Sequence, residues 1–128
     1  MIVGIGTDIV EIERITQVYQ RQGEAFAKRL LSKTELLELA KHRFPERLLA
    51  KRWALKEAVS KALGTGISQG VCFHDMTIAH QASGQPYLIL TDKTLEKANS
   101  LGITHWSISV SDEKNHAVAF VIAENQTL

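Results

Sequence analysis

Hydrophobic positions in the first half of the chain recur at spacings of three and four residues, the period of a helix that buries one face. The pattern predicts helices from about residue 11 to Gly23, from 24 to 31, from Ser32 onward, and from Pro45 to Gly64. Ser32 begins a capping box with Glu35, and Pro45 and Gly64 suit the first turn and the end of a long helix. Residues on both sides of this long helix could be buried, so we expect it at the centre of the fold.

Alternating or continuous apolar segments, typical of strands, dominate the second half and also open the chain. The expected strands span residues 2–5, 76–79, 86–90, 106–110 and 117–123, with a helix from Asp92 to Ser100 between the third and the fourth. Gly4 and Gly6 interrupt the first strand and indicate a bend or the close approach of another backbone segment. The pattern therefore predicts an α+β fold in a single domain, residues 1–128, with early helices and a mainly antiparallel sheet.

Composition narrows the class of protein without identifying it. Apolar residues make up 45% of the 128 residues, enough for a buried core. The single cysteine, Cys72, and the lack of an N-terminal signal pattern lead us to expect a cytoplasmic protein. No apolar run in the sequence is long enough to cross a membrane. The net charge is +1, but residues 1–63 hold 12 basic against 8 acidic side chains, which suggests an anionic ligand or an acidic protein rather than nucleic acid.

Three residues could form a site for a metal ion and a phosphate group. Asp8 follows the first predicted strand, and Glu57 lies one helical turn before Lys61 on the long helix. A carboxylate can hold a hard cation such as Mg²⁺, and a lysine can meet a phosphate group. Ordinary alternatives are open at this point, because Asp8 could cap the following helix and Glu57 and Lys61 could form a surface ion pair.

The loop Gly64-Thr65-Gly66 directly follows the long helix. Its backbone N–H groups could bind the same phosphate, although the loop could also be a simple helix end. Its spacing matches neither a P-loop nor a dinucleotide-binding motif. The five histidines show no metal-ligand spacing and are expected to be structural or exposed, and Cys72 is expected to be a small core residue.

Two segments together resemble the signature blocks of the holo-acyl-carrier-protein synthases, the short bacterial branch of the 4′-phosphopantetheinyl transferases. They are residues 6–14, with the sequence Gly-Thr-Asp-Ile-Val-Glu-Ile-Glu-Arg, and residues 51–66, which run from Lys51 through Glu57 and Lys61 to Gly66. Residues 83–86, Ser-Gly-Gln-Pro, resemble the family's Gly-Lys-Pro turn with glutamine in place of lysine. The resemblance covers essentially the whole chain, and it implies the 4′-phosphopantetheinyl transferase-like fold.

The resemblance implies a group-transfer reaction that serves fatty-acid synthesis. The phosphopantetheine arm of coenzyme A would move to a serine of an apo acyl carrier protein, and adenosine 3′,5′-bisphosphate would leave. Asp8 and Glu57 would hold Mg²⁺ against the coenzyme A pyrophosphate, which Lys61 would also contact. Either Glu57 or a water on the metal near Asp8 would take the serine proton. Further contacts with coenzyme A are expected from Arg52, Lys61, Gly64, Thr65, Gly66, Gly84 and Pro86.

The resemblance also implies two kinds of protein partner. Acyl carrier proteins are small and acidic, and the expected docking residues are Arg14, Arg21 and Arg29, with Phe26 as an apolar anchor. Family members form trimers with active sites at subunit interfaces. We therefore expect a homotrimer in which Asp8 and part of the coenzyme site lie on different chains, which would account for a long helix that is buryable on both sides.

One position departs from the pattern of many relatives, which carry Ser-His where this chain has Ser111-Asp112. The change removes a cation that could meet the coenzyme phosphates and makes Arg52 or Lys56 its expected replacement. Two other classes of function are open on the sequence. A module that binds coenzyme A or a nucleotide without turnover would need no metal carboxylates. A basic scaffold for an acidic partner would bind that partner even without Glu57.

Overall fold

The computed structural model describes residues 1–127, which form five helices and five strands, with four of the helices between the first and second strands. Their bounds are β1 (Ile2–Glu11), α1 (Ile12–Gln22), α2 (Glu24–Leu30), α3 (Lys33–Lys41), α4 (Pro45–Ala62), β2 (Met76–His80), β3 (Pro86–Leu90), α5 (Asp92–Ser100), β4 (His105–Asp112) and β5 (His116–Glu124). A single 3-10 turn, Phe73–Asp75, precedes β2. The predicted α+β fold is confirmed, and α5 spans the predicted residues, with Thr91 as its N-cap.

The strands form two antiparallel sheets. One has the order β1-β5-β4, and the other is the β2–β3 hairpin. In the larger sheet Asp8 pairs with Ala119 and Ile5 with Ile122, so β5 runs along nearly the whole of β1. On the other side of β5, Val110 pairs with Ala119. The last two predicted strands are therefore the edge strand β4 and the central strand β5 of the main sheet.

The first strand extends further than its apolar pattern suggested. We expected it to end at Ile5 with Asp8 beyond it, but β1 continues to Glu11. Burial alternates along it, with Gly6, Asp8 and Val10 on the inner face. Asp8 is therefore neither past the strand end nor a helix cap, because Glu11 occupies the N-cap position of α1.

Glycine allows β1 to lie directly against the C-terminal half of α4. A Cβ atom at Gly6 would collide with the carbonyl oxygen of Ala58, and one at Gly4 would collide with that of Ala62. The predicted close approach of two backbone segments is confirmed. Because Asp8 is the next inward-facing residue after Gly6, this contact places its carboxylate beside the end of α4.

Helix α4 is the centre of the protein, as expected. It begins at Pro45 and ends before Gly64, whose φ of 80° suits glycine. Its main neighbours are β1, β5 and α1, and Ala54 and Leu55 are fully buried. Its burial on both sides therefore comes from contacts within the chain, and the expectation that a trimer accounts for it is wrong.

A buried ion cluster joins α3 and α4 to β2. The Glu35 carboxylate is only 1% exposed and accepts hydrogen bonds from Lys56 Nζ at 2.6 Å and Arg52 Nε at 3.1 Å. It also accepts from the backbone N–H groups of Ser32 and Ile78. Burial lowers the pKa of Lys56, and the charge of Glu35 opposes that shift. Every charge in this cluster has a partner, which is the condition for burying charges in a stable core.

The outer face of the main sheet is apolar and open. Ile5, Ile9 and Phe120 are 69%, 67% and 58% exposed. Phe120 on β5 pairs with Thr7 on β1, which puts it diagonally between Ile5 and Ile9 on the same face. A groove of about 350 Å³ runs between Ile5 and Phe120. Large apolar side chains that are exposed together usually mark a surface for another molecule.

Candidate active site

Asp8, Glu57 and Lys61 come together within one chain at the C-terminal end of α4. Lys61 Nζ donates to Asp8 Oδ1 at 3.1 Å and to the carbonyl oxygen of Thr7 at 2.9 Å. Within the described residues, Lys61 forms its ion pair with Asp8 rather than with Glu57. Asp8 and Glu57 therefore meet within one chain. The expectation that part of the coenzyme site lies on a different chain from Asp8 stays a prediction.

Asp8 has spare hydrogen-bonding capacity in a buried place. Its Oδ2 atom is shielded from solvent and has no hydrogen-bond partner among residues 1–127. A buried carboxylate oxygen without a partner is costly, so its occurrence in a folded protein calls for an explanation. An oxygen-seeking cation at this atom would supply the missing contact.

Glu57 is affected electrostatically by the same group of charges. Burial raises its pKa above the ordinary value, the charge of Asp8 raises it further, and the charge of Lys61 acts in the opposite direction. Two carboxylates that disfavour each other's ionisation gain most when a divalent cation lies between them. The pair has the donor chemistry of a Mg²⁺ site, with Lys61 adding a positive charge at its edge.

The loop after α4 does not offer its backbone N–H groups to a phosphate. The N–H groups of Thr65 and Gly66 donate to the carbonyl oxygen of Ser60, and that of Gly64 donates to Lys61. This part of the prediction is wrong, because the groups close the helix end. Gly64 and Gly66 have positive φ, and a Cβ atom at either would meet nothing within 4 Å. The loop therefore borders open space beside Lys61, which leaves room for a ligand.

Arg52 and Lys56 are unsuited to the coenzyme phosphates for which the sequence suggested them. Arg52 is 3% exposed and binds Glu35 and Glu38, and Lys56 is fully buried. A charge held in this way could reach a ligand only by leaving a buried carboxylate without its partner. The prediction that Arg52 contacts coenzyme A is therefore wrong.

Asp112 has a partner that the sequence did not suggest. Arg47, in the first turn of α4, donates to Asp112 Oδ2 at 2.9 Å and to the carbonyl oxygens of Glu113 and Lys114. The two side chains are 65 positions apart, and no sequence pattern connects them. Arg47 therefore places a positive charge at the turn where the sequence had suggested that a cation was missing.

Gly84 lies in the turn of the β2–β3 hairpin, and Pro86 is the first strand residue after that turn, paired with His80. Gly84 closes the turn with a φ of 93° and an N–H bond to Gln81, and Pro86 begins β3. The hairpin strands pack mainly on each other and on β4. The main contacts of this hairpin are therefore not with β1 or α4, which carry Asp8 and Glu57.

The arginines expected to dock a partner lie on α1 and α2, and all three are exposed. Arg14 and Arg29 line a groove of about 220 Å³ whose floor includes Trp53 and Phe26. Phe26 is only 2% exposed, so it is a core residue and not the exposed apolar anchor that we expected. Arg29 lies over its ring at 5.9 Å from the centroid.

Comparison with known proteins places the chain among enzymes with this architecture. Residues 4–121 match the family model described as the 4′-phosphopantetheinyl transferase superfamily. A relative from Hydrogenovibrio crunogenus, named holo-[acyl-carrier-protein] synthase, is 60% identical over 99% of this chain and 100% of its own.

Solved structures agree with the sequence relatives. The holo-[acyl-carrier-protein] synthase of Neisseria meningitidis superimposes with a TM-score of 0.92 at 44% identity, covering 97% of this chain and 99% of that one. The synthase of Helicobacter pylori, solved in complex with coenzyme A, gives a TM-score of 0.82 at 33% identity over 94% and 99% of the two chains. Among the described residues, no helix has the length and apolar character needed to span a membrane.

Proposed function

Because the chain belongs to the 4′-phosphopantetheinyl transferase superfamily, we propose that it transfers 4′-phosphopantetheine from coenzyme A to a serine of an apo acyl carrier protein. The product would be a holo acyl carrier protein, and adenosine 3′,5′-bisphosphate would leave. The observation that carries the proposal is the pair Asp8 and Glu57. One buried oxygen of Asp8 has no hydrogen-bond partner among residues 1–127, and it lies beside the exposed Lys61. The coenzyme A complex of the Helicobacter pylori relative supports coenzyme A as the donor.

Asp8 and Glu57 would hold Mg²⁺, with Asp8 Oδ2 as one ligand. The fit rests on donor chemistry, since Mg²⁺ favours one or two carboxylates together with phosphate oxygens and waters. When bound, Mg²⁺ would neutralise the negative charge of the pyrophosphate and orient it. Lys61 would add a second positive charge beside the metal. Its side chain is half exposed and can turn toward the open side of the site.

The chemical step is a displacement at the phosphorus that carries the pantetheine arm. The serine oxygen forms a new P–O bond, and the P–O bond to the adenosine bisphosphate breaks. Lys61 would stabilise the charge that develops on the leaving phosphate or give it a proton. Either Glu57 or a water near Asp8 would accept the serine proton. The open space beside Gly64 and Gly66 would admit the nucleotide.

The proposed assembly is a homotrimer in which neighbouring chains complete the coenzyme site. The exposed face around Ile5, Ile9 and Phe120 is the surface that we assign to the subunit contact. The Gly84–Pro86 turn lies outside the contacts of α4 within one chain, so it would line the coenzyme site of a neighbour. Phe120→Asp should weaken the trimer in sedimentation velocity experiments, because it places a charge in the centre of this face.

The biological setting that we propose is fatty-acid synthesis in the cytoplasm. Coenzyme A and acyl carrier protein are the substrates of this reaction, and a reducing compartment suits a chain with one cysteine. Arg14, Arg21 and Arg29 would attract the acidic carrier protein. Phe26 would support Arg29 from below instead of contacting the carrier directly.

Mass spectrometry of a carrier protein tests the reaction. Apo acyl carrier protein is incubated with this protein, coenzyme A and Mg²⁺, beside a control with EDTA. We expect a metal-dependent gain of about 340 Da, the mass of one phosphopantetheine group on an acceptor serine. No gain with several carriers would contradict the proposal and favour a binding module without turnover.

A further inference from the structure

Three potential metal ligands meet at the 3-10 turn before β2. The Sγ atom of Cys72, the Nε2 atom of His74 and a carboxylate oxygen of Asp75 all lie within 4.8 Å of one another. Cys72 Sγ and His74 Nε2 are 4.0 Å apart, and His74 Nε2 is 4.0 Å from Asp75 Oδ1. The cluster lies between the loop after α4 and the start of β2, and neither Asp8 nor Glu57 belongs to it.

The spacing of these atoms is close to that of a tetrahedral zinc site. Zn–S and Zn–N bonds of usual length put the ligand atoms of such a site about 3.5 Å apart. The His74 side chain is 61% exposed and can rotate to close the remaining gap. Thiolate, imidazole and carboxylate are all zinc ligands, and a three-ligand set leaves a fourth position for water.

A buried threonine orients two of the three ligands. Thr94 is fully buried, and its N–H and Oγ1–H groups both donate to Asp75 Oδ2, the hydroxyl at 2.9 Å. The same Oγ1 accepts the backbone N–H of Cys72 at 3.2 Å. Because Oδ2 is held in this way, Oδ1 is the carboxylate oxygen that faces His74. Outer contacts of this kind fix ligand orientation in metal sites.

The turn that carries the ligands is held in place from inside the protein. Lys56 Nζ donates to the carbonyl oxygen of Phe73 at 3.2 Å, and the Phe73 ring lies 5.1 Å from that of Trp53. Asp75 is only 6% exposed. The ligands are therefore presented by a rigid element, and binding would require little rearrangement beyond the His74 side chain.

The cluster is accessible from solvent. Cys72 is only partly buried and the His74 side chain is 61% exposed, so an ion can approach from outside the protein.

We propose that Cys72, His74 and Asp75 bind one Zn²⁺ ion, separate from the carboxylate pair Asp8 and Glu57. The ion would link the start of β2 to α5 through Asp75 and Thr94. It would also protect the only thiol of the chain. This site is independent of the proposed transferase activity, and its presence or absence leaves that proposal unchanged.

Titration with Zn²⁺ and Co²⁺ tests the site directly. With excess Mg²⁺ present to fill the Asp8 and Glu57 pair, we expect one equivalent of Zn²⁺ to bind in calorimetry. We expect Co²⁺ to give a thiolate-to-metal charge-transfer band in the near ultraviolet. Cys72→Ser should abolish the band, and His74→Ala should weaken binding by more than tenfold. Thr94→Val should weaken it by roughly tenfold, the lower end of the usual cost of losing an outer contact. His80→Ala and Asp8→Asn should bind as the wild type does.

Alkylation of the single cysteine gives a second readout that does not depend on spectroscopy. One equivalent of Zn²⁺ should slow the reaction of Cys72 with iodoacetamide at least fivefold, EDTA should restore the rate, and Mg²⁺ should have no effect. The proposal is overturned if Zn²⁺ fails to bind. It is also overturned if binding survives both Cys72→Ser and His74→Ala, or is lost in Asp8→Asn. Circular dichroism of each variant establishes that it is folded.

Discussion

Helix α4 carries two clusters of opposite charges that use the same residue types in different ways. Glu35, Arg52 and Lys56 form the first, in which every charged group is buried and paired. Asp8, Glu57 and Lys61 form the second, one turn further along the helix. Here Lys61 is 50% exposed, and one oxygen of Asp8 has no partner within the described chain.

The difference shows how a structural ion cluster can be told from a functional one. Charges whose hydrogen-bonding capacity is filled within the fold have nothing left for a ligand, and removing one mainly costs stability. A carboxylate with an unfilled oxygen gives up stability and keeps a site for a cation. Lys56 and Glu57 are adjacent in sequence, yet the first belongs to the core and the second to the site.

The largest effect is expected from Glu57→Gln, which removes a charge from the metal site while keeping its shape. We expect transfer to fall about ten-thousandfold, which corresponds to about 5.5 kcal/mol of transition-state stabilisation. The melting temperature should stay the same or rise. Glu38→Gln is the matched control, because Glu38 is a partly exposed carboxylate paired with Arg52. Near-normal turnover of Glu57→Gln in the mass spectrometric assay would show that the cluster containing Glu57 is not the functional one.

The opposite result is expected from Lys56→Met, which breaks the buried cluster. Glu35 would lose its closest partner, so the free energy of unfolding should drop by about 3–5 kcal/mol, measured by urea denaturation. The protein that stays folded should keep most of its transfer rate. Combining Lys56→Met with Glu35→Leu should cost much less than the sum of the two single changes. Additive costs would argue against a coupled cluster.

The pH dependence of stability distinguishes the Glu57 cluster from the Glu35 cluster with a single conservative substitution. The pKa of Glu57 is raised in the folded state, so the folded protein binds more protons than the unfolded chain at pH values just above 4.5. Its contribution to stability is therefore greatest at low pH and is lost as pH rises through the raised pKa. In metal-free buffer, Glu57→Gln should gain in melting temperature relative to the wild type between pH 4.5 and 8. An unchanged difference across this range would contradict the assignment.

The smallest effect is expected where charges are fully exposed. Arg14→Ala should raise the KM for carrier protein by a few fold, about 1 kcal/mol or less, and leave the KM for coenzyme A unchanged. The effect should fade as salt is added, because exposed charges act mainly on encounter. Steady-state kinetics at two salt concentrations measure it. Equal changes in both KM values would count against a docking role for α1.

The sequence predicted the elements well because their signals are local. Capping at Ser32, the stop at Gly64 and the alternation around Ile108 each depend on neighbouring residues, and the structure has these elements. The close approach at Gly6 was also predictable, because glycine weakens a strand and usually occurs there at a bend or where another backbone segment lies close.

The sequence could not predict which charged residues the fold would bury. Glu35 was recognised as a capping residue, but its ion partners lie 17 and 21 positions away. The same limit explains why Arg52 looked available for a phosphate. Phe26 looked like an exposed anchor because its burial depends on Trp53, which comes from another helix.

Binding of coenzyme A in the presence and absence of Mg²⁺ tests most directly whether the Asp8 and Glu57 cluster is the functional one. Calorimetry with the wild type should show tighter binding with Mg²⁺, and Glu38→Gln should behave in the same way. Asp8→Asn and Glu57→Gln should bind coenzyme A equally with and without Mg²⁺. If either variant keeps the full effect of Mg²⁺, the metal lies elsewhere and the central claim is wrong.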